Sequence, residues 1–402
     1  MIRIFAWAIL VIATYLAISH TNLRKEWPKF DLTNQITNSS NNSSDNIENF
    51  RTWLPDTAPS VHASTVIPLK NGNWRAFWFA GSREGAPDVV IASSVFDTQT
   101  KTWSEPIAVI DRTRTQQGLL RYISKLGNPL PARAPTGELQ LYYVAVSLGG
   151  WAGSSISMIQ STDEGQAWSK PKRLITSPFI NISNLVKSPT FNFSDDTIGL
   201  PSYHEFIGKF GELLQIDPQT GNVINKRRMS SGREAIQPII YINDADNAIA
   251  YFRQTRIHGP AQIITSTSTN AGLNWKAGDD LNLANPNSAV AGLTLRNKNR
   301  LLVLNDLTEG RHRLTLVASK PKPSSTSNEY SNWEIIEVIE NETPDGINPI
   351  EFSYPYLAQA SNGDIQLVYT WNRKKIRSIF FNESAINKKL DSLLENTSGE
   401  LK

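Results

Sequence analysis

Ser161-Thr162-Asp163-Glu164-Gly165-Gln166-Ala167-Trp168 reads S-x-D-x-G-x-x-W, and the chain uses the phrase again. Ser268-Thr269-Asn270-Ala271-Gly272-Leu273-Asn274-Trp275 repeats it with an asparagine for the aspartate. Looser copies run from Asp97 to Trp103 and at the end of the segment from Ser319 to Trp333. The chemistry is that of a tight turn between two strands. An Asp or Asn side chain can bond backbone N–H groups a few residues on. Glycine accepts the positive φ that other residues resist. The tryptophan can then fold back as a large apolar plug. Such a box is an architectural device and performs no chemistry itself.

The sequence around the boxes has the same character. Short apolar runs, such as Trp74–Ala80, Leu139–Val146, Ala248–Arg253 and Ile365–Trp371, are cut by turn residues. No long stretch shows a 3.6-residue apolar period, so the expectation is an all-β fold. The box tryptophans fall at 103, 168, 275 and 333. The middle gap is nearly twice the others, so one repeat between them has lost its box. Repeats of about 40–50 residues point to propeller blades. Six are expected, near 60–110, 125–175, 180–230, 235–280, 285–340 and 350–382. The last needs a strand from near Trp53, which would close the ring and remove the exposed sheet edge.

The totals bound the function. With 402 residues and 40% apolar content, the chain can bury a large core. A net charge of +3, from scattered basic residues, gives no stripe for nucleic acid. Cysteine is absent, which excludes disulfides, thiolate metal sites and a Cys nucleophile. Neither a cofactor nor a metal is expected, because no His-x-His or spaced carboxylate set occurs. Residues 1–19 read as a signal peptide or membrane anchor: Arg3 precedes an uncharged run over residues 4–18. This implies an exported protein, periplasmic, secreted or held at the membrane through that run. Residues 20–50 read as a polar linker, 51–382 as the propeller and 383–402 as a C-terminal tail, with Ile386, Leu390, Leu393 and Leu394 on a weak amphipathic face.

Beyond the boxes, the chain resembles the sialidase (neuraminidase) superfamily, and within it the BNR/Asp-box group of predicted neuraminidases. The matching phrases are His62-Ala63-Ser64, Trp78 to Val89, Gly127-Asn128-Pro129 and Leu200 to Phe206. They continue with Ile236-Gln237-Pro238, Asn285-Pro286-Asn287-Ser288, Phe352-Ser353-Tyr354-Pro355 and Tyr369-Thr370-Trp371. The resemblance implies a six-bladed sialidase-like propeller acting on a terminal acidic sugar. It implies arginines that grip the sugar carboxylate, since guanidinium offers charge and paired donors in a rigid fork. It also implies a tyrosine nucleophile activated by a glutamate, and an acid/base carboxylate for the leaving oxygen.

Residue by residue, Arg253 and Arg311 match the second and third arginines, and Tyr354 matches the nucleophile. Glu84 or Asp88 falls at the acid/base position, and neighbouring Arg83 is a further candidate for the carboxylate. Two departures stand out. Blade one lacks its arginine, with His62 the nearest polar residue, and Gln237 occupies the place of the activating glutamate. Tyr203-His204-Glu205 adds a dense titratable cluster, and Asn287 a candidate substrate contact. A glycosidase on acidic sugars such as sialic acid is therefore the leading expectation. A uronate lyase using His62, Tyr203 and His204 is one alternative. A non-catalytic propeller that binds acidic glycans is the other.

Overall fold

The computed structural model describes residues 26–33, 46–178, 181–322, 330–344 and 350–399. The expected targeting segment lies outside them. Among the described residues no helix is long and apolar enough to cross a membrane.

The described strands form six antiparallel sheets, taken up in chain order, and neighbouring innermost strands pack against one another. Blade one runs Ser60–Pro68, Trp74–Gly81, Val90–Asp97 and Thr102–Trp103, with Ile107–Ile110 as an extra edge. Blade two runs Lys125–Arg133, Leu139–Val146, Ser154–Ser161 and Lys172–Arg173. Blade three has a two-residue inner strand, Leu185–Val186, before Ile198–His204, Phe210–Ile216 and Val223–Arg228. Blade four runs Ala235–Ile242, Ala248–Gln254, Gln262–Ser268 and Lys276–Ala277. Blade five runs Ala291–Thr294, Arg300–Leu304, Arg313–Ser319 and Glu334–Asn341. Blade six runs Phe352–Gln359, Ile365–Trp371 and Lys375–Phe381. Its fourth strand is Glu48–Trp53, which pairs Arg51 with Ile379 and Trp53 with Arg377. The ring is thus closed by the N-terminal strand expected near Trp53.

The boxes lie where strand three turns into strand four. Asp163 Oδ1 accepts from the backbone N–H groups of Gln166 (3.0 Å) and Ala167 (2.9 Å). Ser161 Oγ accepts from Gly165 N at 2.8 Å, and Gly165 has φ +91°. The Trp168 indole donates to the Gly165 carbonyl at 3.0 Å and packs edge-on against Phe77. Blade six, closed by the N-terminal strand, has no such turn, and blade three has the turn without a box; there Asp217 accepts from Gln219 N and Thr220 N, and Thr220 Oγ1 accepts from Asn222 N.

Two features were not legible in the hydrophobic pattern, and a third only as a weak amphipathic face. A short helix, Arg112–Leu119, links blades one and two, capped by Asp111, whose side chain accepts from Arg114 N. It has almost no apolar face, so periodicity could not reveal it. Residues 27–31, inside the expected linker, lie against the box end of blades three and four. Trp27 bonds the Ala271 carbonyl, and Phe30 is buried against Phe191 and Phe193. The tail after the last blade is a helix, Glu383–Gly399, capped by Asn382 and seated through Ile386 and Leu390.

Candidate functional site

Inner strands begin, and second strands end, at the face opposite the boxes. At that face the head of every inner strand carries one non-glycine residue in the left-handed region: Ala63 (φ 52°), Asn128 (42°), Ser183 (58°), Gln237 (53°), Asn287 (56°) and Tyr354 (52°). Such a conformation costs about 1–2 kcal/mol each, and strain of this kind collects at functional sites. In four blades a bulge accompanies it. Pairing jumps from His62–Phe79 to Thr65–Phe77 and from Gly127–Val144 to Leu130–Tyr142. It likewise jumps from Ile236–Arg253 to Ile239–Tyr251 and from Ser353–Thr370 to Tyr356–Val368. A bulge re-aims side chains, and here it brings Asn128, Gln237 and Tyr354 into one bonded cluster.

Gln237 Nε2 donates to the phenol oxygens of Tyr354 (3.1 Å) and Tyr203 (3.2 Å). Asn128 Nδ2 donates to Tyr203 as well, at 3.2 Å. Arg253 fixes the sense of the amide. Its guanidinium can only donate, and Nη1 reaches Gln237 Oε1 at 3.3 Å while Nε reaches Asn287 Oδ1 at 2.7 Å. The carbonyl of Gln237 therefore faces Arg253, and its two N–H groups face the two tyrosines.

A second cluster adjoins the first. Glu351, three residues before Tyr354, accepts from Arg311 Nη1 at 3.0 Å and from Arg373 Nε at 3.0 Å. Arg311 Nη2 also donates to the Asn287 carbonyl at 3.1 Å. Arg373 pairs with Glu84 on its far side. Burial alone would push the Glu351 carboxyl up; the bonds from Arg373 and Ser353 and the charges of Arg373 and Arg311 bring it down to about 2. His62 lies against the Tyr354 ring with centroids 4.4 Å apart, and its Nδ1 is buried without a partner. Burial, then Arg373, Arg311 and Arg253, with Glu351 opposing, push His62 down to about 3, so its imidazole is neutral. Three guanidinium groups, from blades four, five and six, thus act on one histidine beside one tyrosine.

The other candidates are distributed as follows. Glu205 feels Arg253 and Lys209, but its burial outweighs them and raises its carboxyl above the usual range. Burial also drives the Tyr203 phenol well up, with Tyr354 and Glu205 adding to it. His204 stacks on Phe210 and accepts from Ile207 N at 3.1 Å, so it braces the hairpin after Tyr203. Asp88 is exposed and tied to Ser82 by two 3.0 Å bonds, the backbone one being the main cause of its lowered pKa. It lines a side groove of blade one with Asp56 and Ile107, and Arg83 acts on it there. Glu84 reaches the site through Arg373, whereas Asp88 and Arg83 are not brought to Tyr354.

Four residues of the site were not singled out from the sequence: Asn128, Lys187, Glu351 and Arg373. Their signal was positional. A polar residue followed by Pro or Ser heads the inner strands at Asn128-Pro129, Gln237-Pro238, Asn287-Ser288 and Tyr354-Pro355. Arg373 sits in the turn directly after Tyr369-Thr370-Trp371, where Asn372 and Arg373 both have positive φ.

The family model described as "BNR repeat-like domain" matches residues 72–367. No curated protein matches the sequence. Among solved structures, the chain is similar to the Hadza microbial sialidase Hz136, with 12% identity and a TM-score of 0.63, covering 82% of this chain and 66% of that one. It is similar to the NanB sialidase of Streptococcus pneumoniae, with 11% identity and a TM-score of 0.64, covering 85% and 71% respectively. A protein of unknown function from Dyadobacter fermentans matches at 14% identity and a TM-score of 0.64, over 83% of this chain and 98% of its own. At these identities the likeness shows a shared fold. This chain spans about two thirds of the first two sialidases, so their remaining parts have no counterpart in the alignment.

Proposed function

We propose, on the premise that this chain belongs to the BNR repeat-like domain family, that it is a sialidase-like glycoside hydrolase acting on a terminal acidic sugar. The convergence of Arg253, Arg311 and Arg373 around His62 and Tyr354 carries this reading. Guanidinium groups suit a sugar carboxylate, and Arg373 supplies from blade six the charge that blade one lacks. Tyr354 oxygen forms a bond to the anomeric carbon as the bond to the leaving oxygen breaks. Glu205, whose burial raises its carboxyl above the usual range, gives its proton to that oxygen. A water then displaces the phenol, and the Glu205 carboxylate takes the water's proton. The apolar run over residues 4–18 adds export to the proposal.

Gln237 limits the rate in this scheme. Its amide donates to Tyr354 at 3.1 Å, but it cannot accept the phenol proton, which passes to water. Slow turnover follows. Gln237→Glu places a carboxylate against the same phenol and should raise release of sialic acid from sialyl-lactose about 100-fold, in the usual range for a positioned base. Tyr354→Phe in that background should abolish the gain. If neither wild type nor Gln237→Glu releases sialic acid, the hydrolase reading fails.

One observation favours a second reading. An amide beside a tyrosine and a neutral, buried histidine also suits elimination from a uronate: the imidazole accepts the proton next to the carboxylate, the bond from the fourth carbon to the leaving oxygen breaks, and the Tyr354 phenol gives that oxygen its proton. In that case uronic-acid oligosaccharides give an unsaturated product absorbing in the ultraviolet, and Gln237→Glu lowers the rate.

A further inference from the structure

Lys187 is 6% exposed, yet among the described residues no carboxylate pairs with it. Lysine is almost never buried unless it is paired, and burying an ammonium costs several kcal/mol. Its Nζ instead donates to two backbone carbonyls, Val290 and Pro355, each at 2.7 Å. These belong to blades five and six, so the side chain of a blade-three residue reaches across the axis of the ring.

Both acceptors have a reason to need a donor. Pro355 lies inside the bulge between Ser353 and Tyr356, where pairing with the second strand is skipped. Val290 precedes the first paired residue of its blade, Ala291, and follows Asn287 by three positions. A buried carbonyl left without a donor costs about 1–3 kcal/mol. Blade two meets the same need with a neighbour's hydroxyl: Thr65 Oγ1 of blade one donates to the Pro129 carbonyl, next to the left-handed Asn128. At Asn287 and Tyr354 one amine serves two strands.

We infer that Lys187 is a positioning residue for Tyr354 and Asn287: by holding the Pro355 and Val290 carbonyls it fixes the two left-handed turns that aim these side chains into the site. The inference rests on the proposed site being the functional one, but it can be read without any substrate. Burial, then repulsion from Arg253, brings the amine down to about 7. Glu351 is held at about 2 and His62 at about 3; Glu205, whose burial raises its carboxyl, acts on Tyr203 beside Tyr354, so loss of the step in the Lys187 variants is what assigns it to Lys187.

The test uses the full chain labelled with ¹³Cζ-tyrosine, the Tyr354 signal being assigned by its loss in Tyr354→Phe. In wild type that signal should move with a midpoint near pH 7 as Lys187 loses its proton. In Lys187→Met the step should vanish and the signal should shift or broaden, while those of Tyr142 and Tyr369 stay in place. Lys187→Gln, which keeps one donor group, should give an intermediate position and serves if Lys187→Met does not fold. A Tyr354 signal and titration unchanged in either folded variant overturns the inference and leaves Lys187 as a core staple. Absence of sialic acid release in all variants would bear on the proposed reaction alone.

Discussion

At the box end of the propeller, the side chains of Asp163, Ser161 and Trp168 bond within their own turn, to Gln166, Ala167 and Gly165. At the opposite end, Gln237 ties together residues of blades three, four and six, and Glu351 ties blade five to blade six. The box end is built from polar turns that each repeat the same local solution. The site end repeats only the backbone: a left-handed residue in every blade, whose side chain ranges from that of Ala63 to that of Tyr354. Exposed large apolar side chains divide in the same way. Tyr122, Leu148, Phe206, Ile207 and Ile257 stand on connections at the site end of blades one to four, and none stands in a box turn. Local closure makes the box end a matter of stability. Long-range bonding and buried charge make the site end a matter of chemistry, sensitive to pH.

That contrast can be broken first at His62. Its pKa is about 3 in the fold and 6.5 unfolded. Between those values the unfolded chain binds a proton that the folded one refuses, so stability falls as pH falls through that window. The loss is on the order of 5 kcal/mol at most. Glu351 adds a separate loss only as pH drops from 4.5 towards 2, since its carboxylate is stabilised in the fold. Urea midpoints at pH 7 and pH 4 should therefore diverge in wild type and nearly coincide in His62→Gln. Equal slopes in the two proteins would mean that His62 is not buried neutral. The box end provides the second test. Trp168→Ala removes a half-buried plug and should cost about 3 kcal/mol, read as a lower denaturant midpoint. Turnover or glycan binding per folded molecule should stay within about twofold, as expected for distant, uncoupled sites. A larger loss of function at full folding would join the two ends energetically.

The same contrast explains what the sequence disclosed. The box end was legible because its information is local: a serine, an acid, a glycine and a tryptophan at fixed spacing give six blades, and the blade without a box could be counted by its gap. The closing strand near Trp53 followed from the missing fourth strand of blade six. The site was legible only where one residue acts by its type. Tyr354, Arg253 and Arg311 could be singled out as candidates by matching phrases. Arg373 could not, because it enters from a turn and matters only through its bonds to Glu351 and Glu84. Lys187 could not, because nothing in its neighbours Val186 and Ser188 announces that its amine crosses the axis. The roles of Asp88 and Glu84, adjacent in one phrase, separate only when Ser82 is seen to hold one and Arg373 the other.

The smallest expected effect sharpens the box end by comparing its two copies. Asp163 Oδ1 accepts from two backbone N–H groups, while Asn270 Oδ1 accepts from that of Asn274 alone, at 2.9 Å. A carboxylate is the stronger acceptor, and hydrogen bonds to a charged group contribute roughly twice as much as neutral ones. Asn270→Asp should therefore stabilise blade four by about 1 kcal/mol, a rise of about 1 °C in melting temperature for a chain of this size. Asp163→Asn should lower it by a similar amount. The gain should fade on acidification as the new carboxylate protonates, because a group stabilised as the anion loses its contribution when pH falls through its folded pKa. Identical melting temperatures for all three proteins at pH 7 would show that the serine, glycine and tryptophan hold the turn without the acid. Asn270 would then be an equivalent residue and not a weakened one.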